Sequence, residues 1–176
     1  MRMSIKFGGN MIVTERLVLK PYSDNDQKRM IELLTNKDIK KTFIIPDFDT
    51  QEDAVKMFFK MKDYSLSDEH YECGIYYNNN LIGWINDVDI KDDTIELGYV
   101  IDPQYSGRGF ATEALQGAIK DLFDNGYNEV VAGAFASNKG SFKVMEKCGM
   151  KQIDKEEEFV YQGELQHCIY YSIRKN

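Results

Sequence analysis

The chain has 176 residues, 43% of them hydrophobic and 29% charged, which predicts one globular domain over residues 1–176 with a sizeable core. Its formal net charge of −7 argues against nonspecific nucleic-acid binding, which needs a basic surface, and leaves room for a cationic partner. No stretch approaches the roughly 20 apolar residues that a membrane helix needs.

The cysteines and the first eleven residues indicate the cellular compartment in which the protein is expected. Cys73, Cys148 and Cys168 are an odd number at wide spacing with no C-x-x-C pair, so we expect neither a disulfide framework nor a zinc knuckle. The first eleven residues mix charged and polar side chains and do not form an apolar signal core. These observations favour a soluble protein of the reducing cytoplasm.

The first half of the chain predicts two helices and four strands. Ser23 with Asp26, and Thr50 with Asp53, are capping patterns that begin the two helices, and the segment 36–49 between these helices is predicted to be irregular. The predicted strands are Ile12 to Lys20, Glu69 to Tyr77, Leu81 to Ile90 and Thr94 to Ile101. The last three strands are separated by short polar turns, which indicates an antiparallel meander.

The second half begins with a glycine turn that leads into a helix. Ser106 to Leu115 follow a strand that Asp102-Pro103 ends, and apolar residues then recur at steps of three and four until Gly126. The remaining predicted elements are a strand at Glu129 to Phe135, a short helix at Asn138 to Lys147 and two strands around Gln162-Gly163. The order of elements is βαα, βββ, αβ, αββ.

The glycine turn has the features of an anion-binding site. Gly107 and Gly109 can adopt backbone conformations that other residues rarely adopt, so several N–H groups can converge at the start of the helix. The helix dipole favours a diphosphate at that position. A dinucleotide-binding motif would need glycine where Thr112 stands, and no Gly-Lys-Ser or Gly-Lys-Thr triplet closes a P-loop.

The residues in these elements resemble the GNAT superfamily of acyl-CoA-dependent N-acetyltransferases, and most closely the branch of RimJ/RimL-like ribosomal-protein N-terminal acetyltransferases. The resemblance spans nearly the whole chain. It is carried by residues 96–103 leading into 107–115, by 14–19, by Ile82-Gly83, by 138–141 before 147–150, and by 170–173.

The resemblance implies a fold and a cofactor site. The expected fold is α+β, with a mixed, mostly antiparallel sheet of about seven strands flanked by about four helices and splayed between the fourth and fifth strands, where the pantetheine of acetyl-CoA inserts. Acetyl-CoA is the implied acyl donor, and no metal is expected because His70 and His167 lie far apart in the sequence. The implied cofactor-binding residues are Tyr99, Val100, Ile101, Ser106, Gly107, Arg108, Gly109, Phe110, Ala111, Thr112 and Asn138.

Two residues are candidates for catalysis. An amine with a pKa near ~10 arrives mostly protonated, and Glu96 is the best candidate for the base that takes its proton. Many superfamily members place a Tyr acid where this chain has Met145, whereas the RimJ/RimL-like branch often relies on a Ser earlier in the same helix, which is Ser141 here. Another departure is Ser106, which replaces the usual Gln or Arg of the glycine turn, so backbone donors are expected to bind most of the diphosphate.

The sequence leaves several alternatives open. The expected activity is direct transfer of an acetyl group to a primary amine, either a protein N-terminus or a small cationic amine, by a monomer or a homodimer. A catalytically inactive CoA-binding sensor is the alternative, and Met145 is its best support. Glu96 is also compatible with a solvated strand carboxylate, and Asn138 and Ser141 with a helix cap and an ordinary helix residue.

Overall fold

Eight strands form one sheet in the part of the chain, residues 9–176, that the computed structural model describes. In sheet order the strands are β1 (Ile12–Val13), β2 (Leu17–Lys20), β3 (Glu72–Tyr77), β4 (Asn80–Lys91), β5 (Thr94–Ile101), β6 (Glu129–Phe135), β8 (Glu164–Arg174) and β7 (Lys151–Tyr161). Only β5 and β6 pair in parallel among these strands. Residues 1–8, most of the stretch expected to lack a signal core, lie outside this description.

The predicted α+β fold is confirmed, with eight strands instead of about seven. The segment predicted as one strand, Ile12 to Lys20, forms the two strands β1 and β2, which pair antiparallel with each other. The amide of Thr14 donates to the Leu17 carbonyl (N···O 2.9 Å) and closes the turn between them.

Five helices accompany the sheet in residues 9–176. They are α1 (Gln27–Leu34), α2 (Lys37–Lys40), α3 (Gln51–Leu66), α4 (Phe110–Asp124) and α5 (Lys139–Lys147). The capping box of Thr50 and Asp53 begins α3 as predicted. The short helix α2 lies in the segment predicted to be irregular, where the side chain of Asn36 accepts hydrogen bonds from the amides of Asp38 and Ile39. No helix in the described residues is both long enough and apolar enough to span a membrane.

The helices cover both faces of the sheet. Ala114, Leu115 and Leu122 of α4 pack in one core cluster with Ile95 and Leu97 of β5. A second cluster, on the other face, packs residues of α1 and α3 against Trp84 and Val100. Successive residues of β5 therefore point alternately toward the α4 face and toward the α1–α3 face.

The sheet opens in its middle. The parallel pairing of β5 with β6 covers only the four residue pairs from Thr94–Glu129 to Leu97–Ala132. Beyond Leu97, residues 98–101 remain paired with β4 on one side while β6 diverges on the other. This confirms the predicted splay, since β5 and β6 are the fourth and fifth strands of the predicted order.

Candidate active site

A cavity of about 530 Å³ lies at the splay. Its wall is formed by the end of β5, by the glycine turn with the first turn of α4, and by one side of α5 from Gly140 to Lys147. Ile39 of α2 and the nearby Phe43 also line it. It is lined by eleven of the predicted site residues, which are Tyr99, Val100, Ile101, Ser106, Gly107, Gly109, Phe110, Ala111, Thr112, Asn138 and Ser141. The remaining two predicted residues, Arg108 and Glu96, are not part of this lining.

The backbone amides of Gly107, Arg108 and Gly109 have no hydrogen-bond partner among residues 9–176, and both glycines line the cavity. Gly107 and Gly109 have φ angles of 75° and 79°, a region that side-chain-bearing residues rarely adopt. Gly109 is the N-cap of α4 and has no side chain with which to cap the helix, so the amides of the first turn receive no side-chain cap. A Cβ at Gly107 would meet no atom within 4 Å. This open cradle of N–H groups at a helix N-terminus fits the diphosphate of coenzyme A.

The side chain of Ser106 is engaged in the preceding turn. Its hydroxyl donates to the carbonyl of Pro103 (O···O 2.6 Å) in the 3₁₀ turn Pro103–Tyr105. Just before that turn, the buried carboxylate of Asp102 accepts the amide of Gln104 at 2.9 Å and pairs with Arg29. The path of the chain from β5 into the glycine turn is therefore fixed by side chains, while the amides of the turn remain available.

Arg16 braces the glycine turn from the β1–β2 connection, a contact that sequence reasoning missed. Its Nη1 donates to the carbonyl of Arg108 at 2.9 Å, and its Nε and backbone amide each lie 2.7 Å from the carboxylate of Glu113. The hydroxyl of Thr14 donates to the same carboxylate at 2.6 Å. Burial alone would raise the pKa of Glu113, but these hydrogen bonds hold it below its ordinary value. Thr14 and Arg16 lie in the segment 14–19, which is one of the segments that resemble the GNAT superfamily. That resemblance was the one sequence signal that pointed to these two residues.

Arg108 stacks on aromatic rings. Its guanidinium carbon lies 4.8 Å from the ring centre of Phe110 and 5.1 Å from that of Tyr77, and its Nη2 donates to the Tyr77 hydroxyl at 3.3 Å. The predicted contact of Arg108 with the cofactor remains a prediction.

Tyr99 and Ser141 meet inside the cavity. Sequence reasoning assigned only the main chain of Tyr99 to the site, yet its hydroxyl lies 2.5 Å from the Oγ of Ser141. Burial raises the pKa of the Tyr99 phenol, so it remains protonated at neutral pH. Asn138 caps α5 by accepting the amide of Ser141 at 3.2 Å, and Met145 is fully buried one helical turn beyond Ser141. A phenol from β5 therefore reaches Ser141, one helical turn from Met145.

Glu96 lies on the α1–α3 face of β5, away from the Tyr99–Ser141 pair. Its side chain is 15% exposed, and its Oε2 lies 3.0 Å from the Nζ of Lys155. On the same face, two residues along, a Cβ on Gly98 would meet the ring of Phe43 at 3.1 Å and the Oδ1 of Asn86 at 3.2 Å. Because Phe43 also lines the cavity, the cavity and the Glu96 face adjoin at Gly98.

Asn86 carries an unsatisfied oxygen at this junction. Its Nδ2 donates to the carbonyl of Asp87 at 3.1 Å, which fixes the orientation of the amide. Its Oδ1 is buried and accepts no hydrogen bond from the described residues. A buried acceptor without a partner is costly, so this position favours a ligand that brings an N–H group.

The histidines pair with carboxylates on opposite sides of the fold. His70 lies 3.1 Å from Asp87, and His167 lies 3.1 Å from Glu156 and 3.3 Å from Glu158. Across residues 9–176, no three His, Cys, Asp or Glu side chains converge in a way that could hold a metal ion.

Comparison with known proteins agrees with this geometry. Residues 16–151 match the model of the acetyltransferase (GNAT) domain family. The chain is 28% identical over 145 residues to the uncharacterized N-acetyltransferase YnaD of Bacillus subtilis (strain 168), covering 80% of this chain and 82% of YnaD.

Two solved structures share the fold. One is RimL, a ribosomal alpha-N-protein acetyltransferase in complex with coenzyme A, with a TM-score of 0.83 and 16% identity over 94% of this chain and 98% of RimL. The other is the microcin self-immunity acetyltransferase MccE in complex with acetyl-CoA and AMP, with a TM-score of 0.79 and 18% identity over 98% of this chain and 99% of MccE.

The splayed sheet and its glycine-turn cradle define an acyl-CoA-binding enzyme, and the chain belongs to the GNAT acetyltransferase family. It is an acetyl-CoA-dependent N-acetyltransferase. The resemblance drawn from the sequence is thereby confirmed.

Proposed function

We propose that the enzyme acetylates a primary amine, either a protein N-terminal α-amine or a small cationic amine, by direct attack within a ternary complex. The observation that carries this proposal is the junction at Gly98, where the cavity that fits the donor adjoins the face that holds Glu96. Donor and acceptor could approach the same point from opposite faces of β5. Between these two acceptors, the structural similarity to RimL favours a protein N-terminus, and this argument is an analogy based on the shared fold.

The donor site uses main-chain groups for most of its contacts. The amides from Gly107 to Thr112 would hold the diphosphate, with Asn138 beside the pantetheine arm. Within residues 9–176, residues 99–101 have no strand partner on the β6 side, so their peptide groups that point to that side would hold the pantetheine and the thioester carbonyl oxygen. Acetyl-CoA supplies the acetyl group as a thioester.

Direct attack is favoured because the cysteines are poor nucleophiles. All three are buried and free. Burial raises the pKa of the Cys148 thiol to about 12 and that of Cys168 to about 11, so both stay protonated near neutral pH. A covalent acetyl-cysteine intermediate would require the thiolate.

The remaining steps are proton transfers assigned to residues on both faces of β5. Glu96 would take the proton of the acceptor amine, directly or through water. The Oδ1 of Asn86 would accept an N–H of the same amine and position it over Gly98. Ser141, hydrogen-bonded to the protonated Tyr99, would donate a hydrogen bond or a proton to the departing thiolate, whose thiol pKa is near ~8.5.

The test is release of free thiol from acetyl-CoA with a panel of amines: peptides with free N-termini, spermidine and simple alkylamines. Amine-dependent release above hydrolysis, with acetylated product identified by mass spectrometry, is the expected result. Binding of coenzyme A with no amine-dependent release would instead favour a sensor. The proposed setting is the cytoplasm, where acetyl-CoA is available.

A further inference from the structure

The ammonium group of Lys155 occupies a cage beside Glu96. Its Nζ lies 3.0 Å from the Oε2 of Glu96, 4.0 Å from the Oε1 of Glu157 and 4.1 Å from the ring centre of Tyr170. A carboxylate in contact, a second one nearby and an aromatic face are the groups that bind an alkylammonium ion. The cage therefore already holds a primary amine of the chain itself.

The fold directs Lys155 into this cage by an irregularity in β7. Gln152 pairs with Tyr171 and Glu156 pairs with Ile169, so the three residues 153–155 lie opposite the single residue Tyr170. A bulge of this kind bends the strand and re-aims a side chain. Lys155 consequently reaches from β7 past β8 and β6 to Glu96 on β5.

The aromatic wall of the cage is held without help from Lys155. A Cβ on Gly133 of β6 would lie 2.5 Å from the ring of Tyr170, so this ring rests directly on the main chain of β6. At its other end, the Tyr170 hydroxyl donates to the Oε2 of Glu157 at 2.5 Å. The ring and Glu157 are thus held by contacts that do not involve Lys155.

Lys155 is held loosely enough to leave. Its side chain is 40% exposed, and an ion pair with a partner this exposed contributes little to stability. The lysine side chain is also flexible, because rotation about the bonds of its four-carbon chain can move the ammonium group into water.

We propose that the cage formed by Glu96, Tyr170 and Glu157 is the subsite for the ammonium group of the acceptor, and that Lys155 is a built-in competitor which the acceptor displaces. This inference rests on the proposed function, because it places the acceptor beside Glu96. It also narrows the acceptor class to primary alkylammonium groups, of which a lysine side chain is one.

The experiment measures binding of spermidine by calorimetry, with coenzyme A saturating, to the wild-type enzyme and to Lys155→Met. Removal of the competitor should tighten spermidine binding by about tenfold. Lys151→Met, at an exposed position of the same strand, should bind as the wild type does. A Lys155→Met enzyme that binds spermidine no more tightly than the wild type overturns the inference.

Two further variants serve as controls for the interpretation that Lys155 competes with the acceptor. Lys155→Gln repeats the test with a polar side chain, in case the Met variant folds poorly in thermal unfolding. Adding Tyr170→Leu to Lys155→Met should reverse the gain, since the aromatic wall is then lost. A double variant that keeps the tight binding would also contradict the cage.

Turnover of acetyl-CoA in the same proteins separates this inference from the proposed function. Tighter binding in Lys155→Met without turnover in any protein would support the cage and refute acetylation of this amine. Turnover in the wild type with equal affinity in Lys155→Met would leave acetylation intact and refute the cage.

Discussion

The hydroxyl of Tyr99 on β5 and the Oγ of Ser141 on α5 lie 2.5 Å apart inside the cavity. The Tyr99 hydroxyl also lies 3.2 Å from the main-chain carbonyl of Ser141. Two hydroxyls this close are joined by a hydrogen bond, so we treat them as a single donor unit toward the departing thiolate.

This coupling predicts a non-additive double mutant. Ser141→Ala should lower kcat by about tenfold to a hundredfold, since general acid help is lost from the leaving group. Tyr99→Phe should lower kcat less, and the double variant should be no slower than Ser141→Ala alone. The measurement is kcat at saturating acetyl-CoA; additive losses would show that the two hydroxyls act separately.

Filling the glycine turn should block the donor site. Gly109→Trp places a large side chain where, among the described residues, the Nη2 of Arg16 is the one atom within 4 Å of a Cβ, so the indole would take the space of the diphosphate. We expect the Kd for acetyl-CoA to rise more than about tenfold by calorimetry. Gly163→Trp is the matched control, because Gly163 has a similar φ of 78° but lies in the β7–β8 turn. Undiminished affinity in Gly109→Trp would rule out this placement of the diphosphate.

The assignment of Glu96 as a base predicts a change in the pH profile. Glu96→Gln should lower kcat/KM for the acceptor by about a hundredfold at low pH, where most of the amine is protonated and base help is most needed. The deficit should shrink as pH approaches the pKa of the amine. The check is kcat/KM measured across pH for both proteins; superimposable profiles would remove Glu96 from the mechanism.

A buried carboxyl on β3, opposite Asn86 in the strand register, predicts how stability varies with pH. Burial raises the pKa of Glu72 from its ordinary 4.5 to about 8. The hydrogen bond from Tyr22 lowers this pKa in part, and the charge of Asp87 raises it further. The folded state therefore holds a proton that the unfolded chain has lost. The resulting stability is fully present below pH 4.5 and is lost as pH rises toward 8, by at most about 1.4 kcal/mol per pH unit.

Glu72→Gln should abolish this part of the pH dependence, because the amide stays neutral and can still accept from Tyr22. The free energy of unfolding, measured in urea between pH 5 and pH 9, should fall less steeply in this variant than in the wild type. Glu69→Gln, at an exposed position nearby, should retain the wild-type slope. A Glu72→Gln enzyme with an unchanged slope would refute the assignment.

The sequence predicted the elements whose signals are local. The bounds of β5 and β6 matched the prediction because each is a short apolar run between polar or turn residues. The segment Ile12 to Lys20 was wrongly predicted as one strand; it turns at Thr14, which bonds to Leu17, and Thr14 and Arg16 of this turn also contact Glu113 almost a hundred residues away. Strand pattern alone does not encode such contacts.

In the candidate site, too, the features with local sequence signals could be predicted and the long-range contacts could not. The glycine turn could be predicted because it joins an adjacent strand and helix. The Tyr99–Ser141 and Glu96–Lys155 contacts could not, because each joins residues from different elements whose spacing is set by the finished sheet. The catalytic roles of Glu96 and Ser141 stay predictions.

The short parallel pairing of β5 and β6 leaves one edge of β5 unpaired by β6 beyond Leu97. If the pantetheine arm bridges the gap, the ligand acts as a missing strand that joins two wings of the protein, and its binding energy adds directly to the free energy of unfolding. The amides of residues 98–101 that point away from β4 would then exchange their hydrogens more slowly when coenzyme A is bound. The rigidity of the centre of this enzyme would follow the cellular supply of its own substrate.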